Sequence, residues 1–108
     1  MNLRNPAART CPECGCEFQA KHGAAVFCTP AHQQAFHNRS MKRGKVLLPL
    51  FQAAVLRSQD DAELASYGRA QAYSLVREWN REDKAAGRRP DLVAQTKFNL
   101  GWLAADLF

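Results

Sequence analysis

Four side chains in the first third of this chain are of the types that bind a transition metal through sulfur and nitrogen. Cys11-Pro12-Glu13-Cys14 is a C-x₂-C pair; Cys28 and His32 follow as C-x₃-H. The whole pattern, C-x₂-C-x₁₃-C-x₃-H, has the ligand number and spacing of a closed structural zinc site. A C-x₂-C turn lets two thiolates converge on one ion, and Gly15 directly after it permits a left-handed backbone. Thr29-Pro30 reads as a helix start, with Thr as N-cap and Pro at the first helical position. Cys28 then lies just before a helix and His32 in its first turn, where free N–H groups and the helix dipole favour thiolate over thiol.

Other ligand sets compete. Cys16 is an alternative to Cys14, and His22 or His37 to His32. Cys16 is the poorer partner for Cys11, because alternate residues of an extended segment point to opposite sides. His37 lies more than one turn further from Cys28 than His32 does. The expected set is Cys11, Cys14, Cys28 and His32 around one Zn²⁺, with all four positions filled by protein and none open for water. The competing account treats the cysteines as small buried apolar residues.

The run Phe27-Cys28-Thr29-Pro30-Ala31-His32-Gln33-Gln34-Ala35-Phe36-His37-Asn38-Arg39, with the knuckle before it, resembles bacterial treble-clef zinc fingers of the CPxCG…FCSxxC(R) type. It is distantly similar to CGNR-type fingers. The resemblance covers residues 11–43. It implies a knuckle, a β-hairpin and a helix around zinc, in proteins that bind nucleic acid or act as interaction modules. The chain departs from that pattern at Thr29 for Ser, at His32 for Cys and at Gln33 for Arg. The last departure removes one phosphate contact that the resemblance would imply.

The helix after the second ligand pair has two sides. At helical spacing His32, Ala35, Phe36, Arg39 and Arg43 share one; Gln33, Gln34, His37, Asn38 and Met41 share the other. Arg39, Lys42, Arg43 and Lys45 crowd its C-terminal end. Asn and Gln pair with adenine edges, and Lys and Arg bind phosphates. Gln34, Asn38, Arg39, Lys42, Arg43 and Lys45 are therefore the candidate nucleic-acid contacts, to DNA or RNA. The bland alternative is a solvated face whose cations offset the helix dipole.

The elements that must position these residues follow from the rest of the chain. At 108 residues it suits one compact domain, or a small module with a helical extension. Residues 1–57 carry eight Lys/Arg and two Asp/Glu, net +6; residues 58–108 carry seven and eight, net −1. The basic half is the half with the cysteines, which points to a polyanionic partner. Residues 1–10 read as a flexible arm and 11–44 as the treble-clef finger. Within the finger, a hairpin pairs Phe18 with Ala25-Val26-Phe27 through a turn at Lys21-His22-Gly23. The finger helix runs from Pro30 to about Arg43 and stops at Gly44. Residues 45–108 form a helical region of about three helices. Val46 to Arg57 is apolar on nearly every side and is expected to be buried. A long helix runs from about Asp61 to Ala86 and ends at Gly87, with Leu64, Gly68, Ala72, Leu75 and Trp79 on one face and Arg69, Arg77 and Arg81 off it. A last helix from Asp91 to about Leu107 carries Leu92, Thr96, Leu100, Leu103 and Leu107 on one stripe and Phe98, Trp102 and Ala105 on another. The second stripe belongs either to the fold's own core or to an interface, so a homo-oligomer stays open. The fold class is thus a small α+β zinc finger followed by an α-helical region.

No stretch is long enough to span a bilayer and no leader is visible, so the expected location is the cytoplasm. There is no P-loop, G-x-S-x-G or H-E-x-x-H. His37-Asn38, with His22, is all that suggests a nuclease of the His-Asn-His type, and the expectation is a non-enzyme. A nucleic-acid-binding accessory or regulatory factor and a protein–protein adaptor with a purely structural zinc are the two functional readings.

Overall fold

The computed structural model describes residues 8–23, 25–99 and 101. A two-stranded antiparallel hairpin, β1 (Ala8–Thr10) and β2 (Glu17–Gln19), is followed by three helices: α1 (Pro30–Leu56), α2 (Ala62–Ala85) and α3 (Asp91–Asn99). Among the described residues, those up to Phe36 together with those from Asp83 onward form one compact unit, and His37–Glu82 form a second. The expected boundary at residue 44 falls inside α1.

The hairpin corrects the sequence reading. Ala8–Thr10, assigned above to the arm, pairs with Glu17–Gln19 in the register Ala8↔Gln19, Arg9↔Phe18 and Thr10↔Glu17. The turn of this hairpin is the cysteine knuckle itself, closed by Cys11 N–H to Cys16 C=O at 2.9 Å and Gly15 N–H to Cys11 C=O at 2.8 Å. Ala25–Phe27 is not a strand. Its turn survives as an Ala25 N–H bond to His22 C=O at 3.2 Å, and Arg9 donates to the Ala25 carbonyl. Phe27 packs instead on Phe36 of α1, with ring centroids 5.2 Å apart. An apolar triplet can satisfy itself against a helix as well as in a sheet, and here the aromatic pair takes it.

The two short helices expected at 30–43 and 46–57 are one helix of 27 residues. Gly44 does not adopt a positive φ, so it is not a helix terminator; Gly15, Gly87 and Gly101 are the described glycines that do. Pro49 lies inside α1 and deprives the Lys45 carbonyl of its helical donor. Packing of the surrounding turns against α2 offsets both weak points, since tertiary contacts override local propensity. The Val46–Leu56 stretch is not buried. Leu47, Leu50, Ala53 and Ala54 are half-buried, while Val46, Leu48, Phe51, Val55 and Leu56 are exposed.

Within the second unit α1 and α2 run antiparallel. Near the connecting loop, a Cβ on Gly68 would lie 2.5 Å from the Leu50 carbonyl oxygen and 3.1 Å from the Ala53 Cβ. Far from the loop, Arg43 meets Glu82 at 3.4 Å and stacks over Trp79 with its guanidinium carbon 5.3 Å from the ring centroid. The α2 face is close to the expected stripe, with Ala65, Gly68 and Ala72 buried and Leu75 and Trp79 half-buried. Leu64 is exposed and Ala65 takes its place. Small residues win there because they let two helix backbones approach closely. Asp61 caps α2 through its carboxylate, which accepts the Leu64 N–H at 3.0 Å.

Leu92 and Thr96 of α3 are half-buried and Phe98 is exposed. The remainder of the two expected stripes, Leu100 and Trp102 to Phe108, lies outside the described residues. No helix among the described residues is long and apolar enough to cross a membrane.

Because Gly44 sits mid-helix with nothing within 4 Å of a Cβ placed on it, Gly44→Ala removes backbone entropy without a clash. We expect the change to stabilise the protein by about 0.5–1 kcal/mol in urea or thermal unfolding. Loss of stability would show instead that the helix breaks at Gly44.

Candidate metal centre

The hairpin turn and the first turn of α1 bring Cys11, Cys14, Cys28 and His32 together, with their ligand atoms all within 4.8 Å of one another. Thr29 holds the helix start in register, its hydroxyl accepting the His32 N–H at 3.1 Å. Gly15, at φ 75°, supplies the left-handed step that turns Cys14 back toward Cys11. Cys14 Sγ lies 3.8 Å from Cys28 Sγ. His32 presents Nδ1 to the sulfurs, 2.9 Å from Cys28 and 3.9 Å from Cys11. Metal–sulfur bonds of about 2.3 Å in a tetrahedron put sulfurs about 3.8 Å apart, so the cluster has the dimensions of a four-coordinate site that could hold a metal ion.

The charges fit the same reading. Burial opposes ionisation of Cys11, but the backbone N–H groups of Cys28, Cys14 and Glu13 and the His32 ring outweigh it and draw the thiol below its ordinary value. The Cys16 N–H does most to lower Cys14. Burial pushes Cys28 up to about 11, and the nearby Cys11 and Cys14 sulfurs push the same way. Three sulfurs this close cannot all carry charge without a cation among them.

Cys16 is outside the cluster. It is exposed, its thiol directed at the Cys14 carbonyl oxygen at 3.8 Å, and its pKa is raised chiefly by the Cys14 side chain. His22 and His37 are exposed as well and are not in the cluster.

What the sequence reading missed is the support behind the knuckle. Gly87 ends α2 in a Schellman motif, with Gly87 N–H bonded to Lys84 C=O at 3.2 Å and Arg88 N–H to Asp83 C=O at 2.8 Å. The buried Asp83 carboxylate takes the Arg88 guanidinium at 2.8 Å, an ion pair where such motifs often have an apolar contact. The loop beyond it is tied to the knuckle, as Arg89 N–H donates to the Pro12 carbonyl at 2.7 Å. Gly15 faces Gly87 so closely that a Cβ on Gly15 would lie 2.4 Å from the Gly87 carbonyl oxygen. Gly15 was legible as a left-handed turn and Gly87 as a helix end; their mutual contact had no local signal.

The candidate nucleic-acid residues divide. Gln34, Asn38, Lys42 and Lys45 are exposed and Arg39 is half-buried, in keeping with the two-sided reading of this helix. Gln34, Asn38 and Arg39 each have interaction partners of their own. The Arg43 side chain is 19% exposed and is engaged with Glu82 and Trp79.

No family model, curated protein or solved structure matches the chain.

Three outcomes follow from this geometry. Cys11→Ala, Cys14→Ala and Cys28→Ala should each abolish metal binding in a chelator competition assay, whereas Cys16→Ala should leave it intact. Metal uptake at neutral pH should release protons, because Cys28 retains its proton without the ion and loses it on ligation. Affinity must then fall as pH falls, which a pH-indicator titration in weak buffer reads directly. Gly15→Ala meets both a left-handed backbone and the Gly87 carbonyl, and should cost at least roughly 1–3 kcal/mol in unfolding experiments.

Proposed function

We propose that this chain is a treble-clef-like zinc protein that binds nucleic acid as an accessory or regulatory factor. The observation that carries the metal assignment is the closed set of three cysteines and one histidine. Thiolate and imidazole donors in tetrahedral dimensions suit Zn²⁺ above harder cations. Four protein ligands leave no open position, so the ion's role is to hold the fold rather than to activate water. Structural zinc of this kind contributes on the order of 10–16 kcal/mol of binding energy at neutral pH, more than a small domain's whole stability.

The nucleic-acid assignment rests on the +6 balance of residues 1–57 and on the exposed Lys42 and Lys45 beside Gln34 and Asn38. Arg43 drops out of the contact set in this reading, because it holds α1 to α2. Binding to DNA or RNA should weaken with salt, with a log–log slope of about 0.9 per phosphate contact for a duplex. Lys42→Ala with Lys45→Ala should lower that slope by about two contacts' worth.

A second reading is favoured by one specific feature. Met41, Leu48, Phe51 and Val55 are exposed and fall at three- and four-residue spacing along α1, with Gly44 completing the row. An apolar row of this kind suits a protein–protein adaptor whose zinc is purely structural.

Two measurements test the proposal. Elemental analysis of purified protein should give about one zinc per chain. An electrophoretic mobility titration with DNA and RNA should show salt-dependent binding; no binding even at low salt would overturn the nucleic-acid role and leave the adaptor.

A further inference from the structure

The outer face of α2 carries a row of side chains that neither the metal centre nor the helix pairing uses. Arg69, Tyr73, Arg77 and Arg81 follow one another at every fourth position. Each step advances about 6 Å along the helix and about 40° around it, so the row winds obliquely over roughly 18 Å. Tyr73, Arg77 and Arg81 turn away from the face of Ala65, Gly68, Ala72, Leu75 and Trp79 that meets α1, and Arg69 lies at the edge of that face. All four side chains are exposed, Tyr73 by 65%. Among the described residues none of the three arginines is in an ion pair. Glu78 lies three residues before Arg81, at the edge of the row, and Glu82 is engaged by Arg43.

The part of the row from Tyr73 to Arg81 borders a hollow. Ala70, Tyr73, Ser74, Arg77 and Arg81 line an open cavity of about 390 Å³. Ala70 and Ser74 contribute small side chains to it, and Tyr73, Arg77 and Arg81 contribute one aromatic residue and two cationic ones. Two cations and an aromatic ring thus border one hollow, with no carboxylate among the side chains that line it.

We propose that this groove binds single-stranded nucleic acid, with Arg77 and Arg81 on neighbouring phosphates, Tyr73 stacked on a base and Arg69, beyond the hollow, on a phosphate further along the strand. The inference rests on the nucleic-acid reading above and moves its main contact from α1 to α2. Guanidinium groups match phosphate oxygens in a bidentate fork. An exposed tyrosine gains from a strand whose bases are splayed, because a duplex keeps its bases stacked on each other. The oblique course suits a flexible backbone that can follow the helix surface.

The test is fluorescence anisotropy of full-length, zinc-loaded protein with labelled oligothymidylate, from about 50 to about 200 mM salt. Duplex of equal length and anionic phosphatidylserine vesicles serve as competitors. Arg77→Ala with Arg81→Ala should weaken binding at least about tenfold and reduce the salt slope by about 1.4, two single-strand phosphate contacts. Arg77→Lys with Arg81→Lys should restore the slope. Tyr73→Ala should weaken binding at least about fivefold with the slope unchanged, since stacking is not a charge effect. All these positions are exposed, and far-UV circular dichroism of each variant confirms the helices. If the double alanine variant binds as wild type does while Lys42→Ala with Lys45→Ala loses binding, the groove is overturned and the nucleic-acid role stands. Preference of wild type for duplex, or competition by vesicles but not by unlabelled strand, overturns it as well. Absence of binding to either single strand or duplex removes both readings together.

Discussion

The hairpin turn and the start of α1 converge on four ligand atoms held within 4.8 Å of one another. The buried apolar residues among those described are Cys11, Ala20, Ala65 and Ala72, with Pro12 also fully enclosed. Such small side chains remove little apolar surface from water, so burial alone supplies a small part of the stabilising energy at about 25 cal/mol per Å². An ion bound by these ligands would hold a short hairpin and a helix start together without a core. The hairpin shows the same logic. Two three-residue strands are too short to persist by themselves, and the knuckle that joins them is the element that fixes their register.

The two units are held by different physics. In the second, α1 and α2 approach through glycine and alanine, and one arginine caps the far end by sitting on an indole ring while reaching a glutamate. This is ordinary helix packing with a cation–π clasp. In the first, backbone meets backbone: the Pro12 carbonyl receives the Arg89 N–H, and Gly15 lies against Gly87. The Asp83–Arg88 pair stiffens the loop that makes those contacts. A buried ion pair of this type is better regarded as fixing one loop conformation than as a source of net stability.

Much of the candidate site was legible because its signals are local. Ligand spacing, the Thr29 cap, the Gly15 turn and the two sides of the helix after Cys28 depend on residues a few positions apart. The Gly87 terminus was legible for the same reason. The errors came where a local signal competed with a distant partner. Gly44 and Pro49 each argue for a break, yet α1 continues because α2 packs along it. Ala25–Phe27 resembles a strand, yet Ala8–Thr10 took the place beside Glu17–Gln19 and Phe27 found Phe36. The apolar content of Val46–Leu56 suggested burial, but one neighbouring helix covers only one side of a cylinder. The engagement of Arg43 was invisible for a similar reason, since Trp79 and Glu82 lie more than thirty residues away in sequence.

The contact between Gly15 and Gly87 also sets an order of assembly during synthesis. The cysteine and histidine cluster can close once His32 has left the ribosome, across a loop short enough for rapid encounter. The backing of that cluster cannot form until the end of α2 has emerged, because its other half is the Gly87 carbonyl and the Arg89 amide. A nascent chain that has emerged only as far as the loop between α1 and α2 therefore lacks that backing. In that interval a competing thiol or chelator meets the ligands at their most accessible, and the last turn of α2 brings that exposure to an end.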